Sequence, residues 1–259
     1  MARAPGLFQP FQNRPSHRNW GNMLLAFTRH LAGAAIIGSL LAASSPSAAQ
    51  DRRQGEPGQF DYYVLVLSWS PSFCADSAER DPSRTARNPQ CGPRPFSFVV
   101  HGLWPQYERG FPEYCQIPAP RLNRNIVSGM LDLMPAPALI FHEWDRHGVC
   151  SGLSAGGYFE TIRKARAVVK IPPQYLDLPA ALTVTPEEVE EAFIKANPGL
   201  DPQGISISCG SRRLGDVKIC LTRDLQFRGC EEIERRTCRR DKLWVLSAEI
   251  GPRANSGQL

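Results

Sequence analysis

The sequence predicts an α+β fold in which a central antiparallel β-sheet is flanked by helices and stapled by disulfides. Strand-like segments occupy the beginning and the end of the main part of the chain, and helix-like segments lie between them. That order is typical of an α+β domain rather than of repeated βαβ units. Eight cysteines, an even number, add the expectation of disulfides.

Two strands are predicted first. Residues 60–69, "FDYYVLVLSW", form a nearly continuous aromatic and β-branched run, which indicates a central strand buried on both faces. Residues 95–105, "PFSFVVHGLWP", indicate a second strand. In this strand Phe96 and Phe98 lie on one side, and the apolar run ends at His101.

Helices are predicted in the middle of the chain, and strands return at its end. Thr185, Pro186 and Glu188 form a capping box with proline in the first helical turn. Residues 158–170 have the apolar spacing of an amphipathic helix. Three later segments, "GISISC", "DVKICLT" and "KLWVLSAE", predict the remaining strands.

Residues 1–49 predict a signal peptide rather than part of the fold. Their apolar run, 31–43, precedes a small-residue cleavage site. A membrane span needs about 20 apolar residues, so no transmembrane helix is expected. Because the segment before Met23 is unusually long for a signal, Met23 is the expected start. We therefore expect an exported protein, periplasmic or extracellular, with one domain over 50–259 and a flexible tail from about residue 252.

Charge is nearly balanced once the predicted signal peptide is set aside. Residues 1–49 hold four arginines and no lysine, aspartate or glutamate. Removing these four from the 30 basic residues leaves 26 bases against 25 acids. A protein that coats duplex nucleic acid is strongly basic, so any nucleic-acid chemistry here is expected to come from a local site.

All eight cysteines follow the predicted signal peptide, at positions 74, 91, 115, 150, 209, 220, 230 and 238. In an exported chain an even count predicts four disulfides. Zinc ligation is the alternative, but no CxxC pair occurs in the sequence. Spacing by itself leaves the pairing open.

Residues 141–150, "FHEWDRHGVC", concentrate chemically active side chains. On a helix, His142, Glu143, Arg146 and His147 would share one face about 140° wide, and Gly148 would suit a left-handed helix end. The spacing is HExxxH, one residue longer than the HExxH zinc motif. Its two histidines diverge too far to hold one ion. A solvated, charged helix face is the alternative to a catalytic role.

A second segment, "HGLWPQ", carries the remaining histidine. By itself His101 is better explained as a structural histidine at the end of a strand. Gly102 permits an unusual backbone turn, and Trp104 offers a flat ring face. The three histidines after residue 49 all lie in these two segments, and this concentration favours one shared catalytic site.

The two segments carry a family resemblance. "FVVHGLWPQ" and "HEWDRHGVC" resemble the active-site segments of the ribonuclease T2 family, in the family's order. The likeness extends to "FDYYVLVLSWSPSFC" and covers most of residues 58–250. It implies a ribonuclease T2-like fold and a metal-independent endoribonuclease that uses no cofactor. The implied substrate is single-stranded RNA, cut with low base specificity to 2′,3′-cyclic phosphates that are hydrolysed more slowly to 3′-phosphates. Neither a membrane nor an obligate protein partner is implied, and a monomer is expected.

The resemblance also implies a role for each catalytic residue. His147 is the expected general base and His101 the expected general acid, since imidazoles with a pKa of about 6.5 suit both tasks. His142 matches the family's phosphate-binding histidine, and Glu143 matches its glutamate beside the transition state. Arg146 stands where the family has lysine, which keeps the charge and changes the geometry of the donors.

Substrate-binding residues and disulfide pairs follow from the same resemblance. Trp104 matches the base-site tryptophan, and Gln106 is expected at a base edge. Phe111 and Tyr107 are further candidates that loop packing would also explain. The implied disulfides are Cys74–Cys91, Cys115–Cys150, Cys209–Cys238 and Cys220–Cys230.

Three other classes of protein are distinguishable by simple tests. A family member that only binds RNA or protein would make no cyclic phosphate. A secreted zinc hydrolase would lose activity with a chelator. A purely structural disulfide-rich module would have no reason to gather its histidines in two segments.

Overall fold

Four antiparallel strands form the central sheet of this computed structural model. It describes residues 55–93, 96–210 and 212–248, so the predicted signal peptide and C-terminal tail lie outside the described residues. In sheet order the strands are β2 (Phe98–Gln106), β1 (Tyr62–Trp69), β5 (Leu214–Leu221) and β4 (Ile205–Cys209). A separate two-stranded sheet pairs β3 (Leu182–Val184) with β6 (Leu243–Val245). The predicted α+β class with an antiparallel sheet is confirmed.

The described residues contain seven α-helices: α1 (Ser70–Arg80), α2 (Pro82–Ala86), α3 (Arg124–Gly129), α4 (Pro137–Arg146), α5 (Ala155–Val168), α6 (Pro186–Ala196) and α7 (Glu231–Glu234). None of these helices combines the length and apolarity that a membrane crossing requires. The capping box of α6 is confirmed. The Glu188 carboxylate accepts the backbone N–H of Thr185 at 2.7 Å, and the Thr185 hydroxyl accepts the backbone N–H of Glu188 at 3.1 Å. The helix predicted over 158–170 begins earlier, where Ser154 caps α5.

Strand β1 is the centre of the fold. All eight of its residues are buried, as the apolar run predicts. The odd-numbered side chains enter the main core, which also holds buried residues of α4, α5 and α6. On the even-numbered face, Tyr62, Val64 and Val66 form a smaller cluster with residues from β5 and α7, and Trp104 packs against it. The even-numbered face therefore keeps room for polar side chains.

A β-bulge places His101. The register between β1 and β2 shifts so that Val66 faces Gly102 and Leu67 faces Val100, which leaves His101 without a partner. The strand predicted over 95–105 is observed as β2 from Phe98 to Gln106, so His101 lies within the strand and not at its end. Phe96, predicted to belong to this strand, precedes its first residue. A bulge bends the strand and redirects the extra side chain, here towards the site described below.

The structure confirms all four implied disulfides: Cys74–Cys91, Cys115–Cys150, Cys209–Cys238 and Cys220–Cys230. The second joins the loop after β2 to the residues that follow α4. Beside it, the backbone N–H of Tyr114 donates to the carbonyl of Arg146 at 2.9 Å. The two histidine-bearing segments are thus linked both covalently and by hydrogen bonding.

Candidate active site

A cavity of about 250 Å³ opens between residues of β2, α4 and β5. It is lined by eight of the nine residues that the sequence nominates, all except Tyr107, together with three others: His101, Trp104, Gln106, Phe111, His142, Glu143, Arg146, His147, Lys218, Ile233 and Arg236. Residues from segments far apart in the sequence, such as Trp104 and Glu143 with a separation of 39, therefore meet in one place. Among the described residues, no group of three or more His, Cys, Asp or Glu side chains is arranged to hold a metal ion.

Helix α4 supplies His142, Glu143 and Arg146 to the cavity. It begins at Pro137, which suits the first turn because its missing N–H needs no partner there. It ends at Arg146, and His147 follows as the C-cap residue with helical backbone angles (φ −115°, ψ −44°). The backbone N–H of His147 still donates to the carbonyl of Glu143 at 3.0 Å. Glu143 and His147 are buried, whereas His142 is exposed.

Two glycines serve close approach rather than unusual backbone angles. Neither has a positive φ, so the predicted left-handed helix end at Gly148 is wrong. A Cβ at Gly148 would collide with Trp144 and lie 2.9 Å from the ring of Tyr158. A Cβ at Gly102 would overlap the carboxyl group of Glu143. Gly102 thus makes space for a buried carboxyl against the strand.

Glu143 is a fully buried carboxyl group. Its Oε2 accepts a hydrogen bond of 2.8 Å from the indole Nε1–H of Trp104, and its Oε1 lies 3.5 Å from Nε2 of His101. Burial raises the pKa of Glu143 to about 8, although the Trp104 hydrogen bond and the nearby Arg146 charge act in the opposite direction. The carboxyl is consequently protonated at neutral pH, when it can donate a hydrogen bond.

His147 is a buried imidazole held against the same indole ring. Its ring is stacked on Trp104, with centroids 5.1 Å apart and an interplanar angle of 25°. Burial, and to a smaller extent the neighbouring cationic groups of Arg146, His142 and His101, lower the pKa of His147 to about 3. His147 is therefore neutral at mildly acidic and neutral pH, which suits a proton acceptor.

His101 faces the cavity from the bulge. Its Nδ1 lies 3.1 Å from the hydroxyl oxygen of Ser68, and its ring meets Trp104 edge-on at 5.6 Å. Burial lowers the pKa of His101, while the negative charge of Asp216 acts to raise it. His101 and His147 are thus two cavity imidazoles in different environments, an arrangement that can remove one proton and deliver another.

Three cationic side chains line the cavity. Arg146 forms an ion pair of 2.8 Å with Glu113, and Arg236 forms one of 2.7 Å with Glu232. Within the part of the chain that the structure describes, Lys218 forms no ion pair, and its Nζ lies 5.9 Å from the centroid of the Trp104 ring. The sequence analysis missed Lys218, although Asp216 and Lys218 are unusual charges within a central strand.

The candidate substrate-binding residues differ in their surroundings. Trp104 already contacts His147 with its ring, while Phe111 is partly exposed at the cavity. Gln106 is buried and donates its amide to the carbonyl of Pro105 at 3.0 Å. Tyr107 belongs to the main core, where it is 1% exposed. Loop packing, the alternative weighed for Tyr107, is what the structure shows.

Comparison with known proteins decides the family. The model of the Ribonuclease T2 family matches residues 60–230. The chain belongs to the ribonuclease T2 family. The match includes strand β1 and both histidine-bearing segments.

Individual family members share part or most of the chain. A ribonuclease of Aeromonas hydrophila is 46% identical over 120 residues, which cover 46% of this chain and 50% of that protein. Ribonuclease DdI of Dictyostelium discoideum is 26% identical over 230 residues, covering 79% and 94%. Against the curated relatives from Aeromonas hydrophila and Haemophilus influenzae, the chain spans about half of their length.

A solved structure supports the fold. The RNase-related protein from Calystegia sepium aligns with a TM-score of 0.57 at 19% sequence identity, covering 72% of this chain and 97% of that one. At this identity the likeness concerns the fold, which agrees with the antiparallel sheet and flanking helices described above.

Proposed function

We propose that this protein cleaves single-stranded RNA by metal-independent transesterification to 2′,3′-cyclic phosphates and then hydrolyses these slowly to 3′-phosphates. The carrying observation is that His101 and His147 both contact the Trp104 ring, at 5.6 and 5.1 Å, in one cavity. Two imidazoles of different acidity across one cavity suit a reaction that removes a proton from one oxygen and supplies one to another.

Proton transfer is assigned by the surroundings of the two rings. His147, held neutral by burial, takes the proton of the 2′-hydroxyl as its oxygen attacks phosphorus. His101 gives its proton to the departing 5′-oxygen, so the P–O5′ bond breaks as the P–O2′ bond forms. In the hydrolytic step the roles reverse, because His101 then activates water and His147 protonates the 2′-oxygen.

Charge stabilisation is assigned to the remaining polar groups. Negative charge grows on the non-bridging oxygens of the phosphate in the transition state. His142, Arg146 and Lys218 line the cavity as donors for these oxygens. Glu143, protonated because burial raises its pKa to about 8, adds a neutral O–H donor.

Base recognition is proposed to rely on ring stacking, which tolerates any base. Trp104 is partly occupied by His147, so Phe111 is expected to carry more of the stacking. Phe111→Ala should then raise KM for RNA. Trp104→Phe removes the hydrogen-bond donor to Glu143 and should lower kcat. Low base specificity follows from this mode of binding, with Gln106 contributing at the edge of the cavity.

Export is proposed as the setting of this activity. Four disulfides and no free cysteine among the described residues suit an oxidising compartment. The proposed signal peptide over 1–49 would direct the chain to a periplasm or out of the cell. All proposed catalytic residues come from one chain, so a monomer suffices.

The test is digestion of a labelled single-stranded RNA in the presence of a chelator, with the ends identified by phosphorus NMR. Wild type should yield 2′,3′-cyclic phosphates first, and a fully deoxy strand should remain intact because it lacks the nucleophile. His101→Ala and His147→Ala should each abolish cleavage, whereas Lys164→Ala, an exposed change on α5, should not. Cleavage of the deoxy strand, or full activity in either histidine variant, would refute the proposal. A protein that binds RNA without producing cyclic ends would belong to the binding-only class.

A further inference from the structure

A short chain of hydrogen bonds begins at Nδ1 of His101. The Ser68 hydroxyl donates to Oδ1 of Asp216 at 2.5 Å, and its oxygen lies 3.1 Å from Nδ1 of His101. Asp216 is itself held in place by Ser208, whose hydroxyl donates to Oδ2 at 2.9 Å and accepts the Asp216 backbone N–H at 2.8 Å. The side chains of His101 on β2, Ser68 on β1 and Asp216 on β5 are therefore connected in series.

We propose that Ser68 and Asp216 are positioning residues that hold His101 with Nδ1–H bound to the sheet and Nε2 facing the reacting oxygen, an inference that rests on the proposed function. Neither residue would touch the substrate. Both would act through the orientation and the protonation of the His101 ring.

The direction of the hydrogen bonds determines the tautomer. Ser68 has one hydroxyl proton, and that proton is used in the bond to Asp216. The Ser68 oxygen can therefore only accept from His101, which must carry a proton on Nδ1. In neutral His101 the bare nitrogen is then Nε2, which lies 3.5 Å from Oε1 of Glu143 on the cavity side. A proton on Nε2 completes the charged form that can protonate a leaving oxygen.

The sheet builds this arrangement through its register. Ser68 of β1 lies directly opposite Asp216 of β5, so their side chains share the even-numbered face. The β-bulge turns His101 onto the same face from the other side of β1. A bulge in one neighbouring strand and an acidic residue in the other are both needed.

Asp216 offsets the other charges around His101. Burial lowers the pKa of His101, and the neighbouring His142 and Lys218 act in the same direction. Of the remaining neighbours, Glu143 is kept neutral by burial, and buried His147 is neutral above a pH of about 3. Asp216 is thus the group that favours the charged, acidic form of His101.

The decisive experiment combines kinetics with a direct view of the ring. The full chain is produced with nitrogen-labelled histidine, and the His101 signals are assigned by difference from His101→Ala. Asp216→Asn and Ser68→Ala are compared with wild type, and the matched control is Ser72→Ala. Ser72 is also buried, but its hydroxyl has no hydrogen-bond partner among the residues that the structure describes.

The expected spectrum of wild type shows neutral His101 protonated at Nδ1. In Asp216→Asn and Ser68→Ala this tautomer should be depleted. The alkaline limb of the kcat/KM profile should move to lower pH, so that kcat/KM at pH 7 falls about tenfold or more, with KM little changed. Ser72→Ala should change neither the tautomer nor the profile, and thermal melting should show that all variants fold.

Two results would overturn the inference. One is a wild-type His101 protonated at Nε2 when neutral, and the other is an unchanged alkaline limb in both Asp216→Asn and Ser68→Ala. The NMR measurement does not depend on activity. If the tautomer is as expected but wild type cuts no RNA, the proposed function fails while the hydrogen-bonded placement of His101 stands.

Discussion

The indole of Trp104 donates a hydrogen bond of 2.8 Å to Oε2 of Glu143, and so joins strand β2 to helix α4 inside the cavity. The same ring is stacked against His147 and meets His101 edge-on. Trp104 therefore contacts three of the six residues that we assign to catalysis. Their relative positions depend on one side chain at the junction of two elements.

The buried Glu143 should lower the stability of the folded protein at neutral pH, although catalysis requires it. Its pKa is raised from 4.5 to about 8 in the folded protein, so its favourable contribution is complete below pH 4.5 and is lost as the pH rises towards 8. Glu143→Gln keeps the shape and has no proton to lose. We expect the variant to be more stable than wild type by about 3 kcal/mol at pH 7, with no difference near pH 4, and to be much less active.

Urea unfolding at several pH values measures this effect. Glu191→Gln, an exposed change on α6, is the control and should leave the pH dependence of unfolding as in wild type. If Glu143→Gln behaves like Glu191→Gln, the buried carboxyl is not protonated as we describe.

Gly102→Ala should disrupt the site although the change adds only one methyl group. The new Cβ would occupy the place of the Glu143 carboxyl, which must move or lose its bond to Trp104. We expect a loss of stability of about 1–3 kcal/mol and a fall in kcat of about 100-fold. Gly156→Ala on α5, where nothing lies within 4 Å, is the matched control and should be neutral in both assays. An active, stable Gly102→Ala enzyme would contradict the packing we describe.

Cleavage should be fastest at acidic pH. His147 must be neutral, so activity should rise as the pH increases through its pKa of about 3. His101 must be protonated, and because burial lowers its pKa below the usual 6.5, activity should fall before neutral pH is reached. Initial rates on a dinucleotide between pH 2.5 and 8 test this expectation. An optimum above pH 7 would show that the two rings have other environments in solution.

Lys218, like Arg146, should stabilise the negative charge on the phosphate in the transition state. Arg146 is engaged with Glu113, whereas Lys218 has no ion pair within the described residues. We expect Arg146→Ala to lower kcat about 100-fold and Lys218→Ala to lower it at least about tenfold, each by loss of a transition-state donor. The exposed Lys164→Ala serves again as control. Wild-type kcat in Lys218→Ala would show that this lysine is a bystander.

Loss of the Cys115–Cys150 disulfide should lower activity, whereas loss of Cys74–Cys91 should lower only stability. Removing either Cys115–Cys150 or Cys74–Cys91 by paired serine substitution should cost about 2–4 kcal/mol of stability, since each closes a loop in the unfolded chain. Only the first bridge anchors the segments that carry His101 and His147. We therefore expect kcat at low temperature to fall only when Cys115 and Cys150 are replaced. Equal kcat in the two double variants would contradict this.

Local patterns in the sequence were sufficient for much of the fold. The apolar run of β1 predicted a strand buried on both faces, and the capping box predicted where α6 begins. In both cases the signal lies within about ten neighbouring residues, where periodicity and capping act directly. The pairing of the cysteines came from the family resemblance, because spacing leaves it open.

The candidate site was only partly accessible to the same reasoning. Eight of the nine nominated residues line the cavity, yet the sequence did not indicate why Gly102 and Gly148 are there or that a β-bulge sets the position of His101 within β2. At both glycines a Cβ would collide with side chains that the fold brings close. The bulge depends on the register with β1, which no local pattern encodes.

The amino-acid sequence thus determined which residues are chemically capable, namely three histidines, a glutamate and an arginine within two short segments. The tertiary structure decided which of them are buried, and so which are neutral or charged at a given pH. It also brought Ser68, Asp216 and Lys218 to the site, none of which belongs to either segment. The physical reason is that the pKa of a group and its hydrogen-bond partners depend on burial and on distances in space, and the sheet joins residues nearly 150 positions apart.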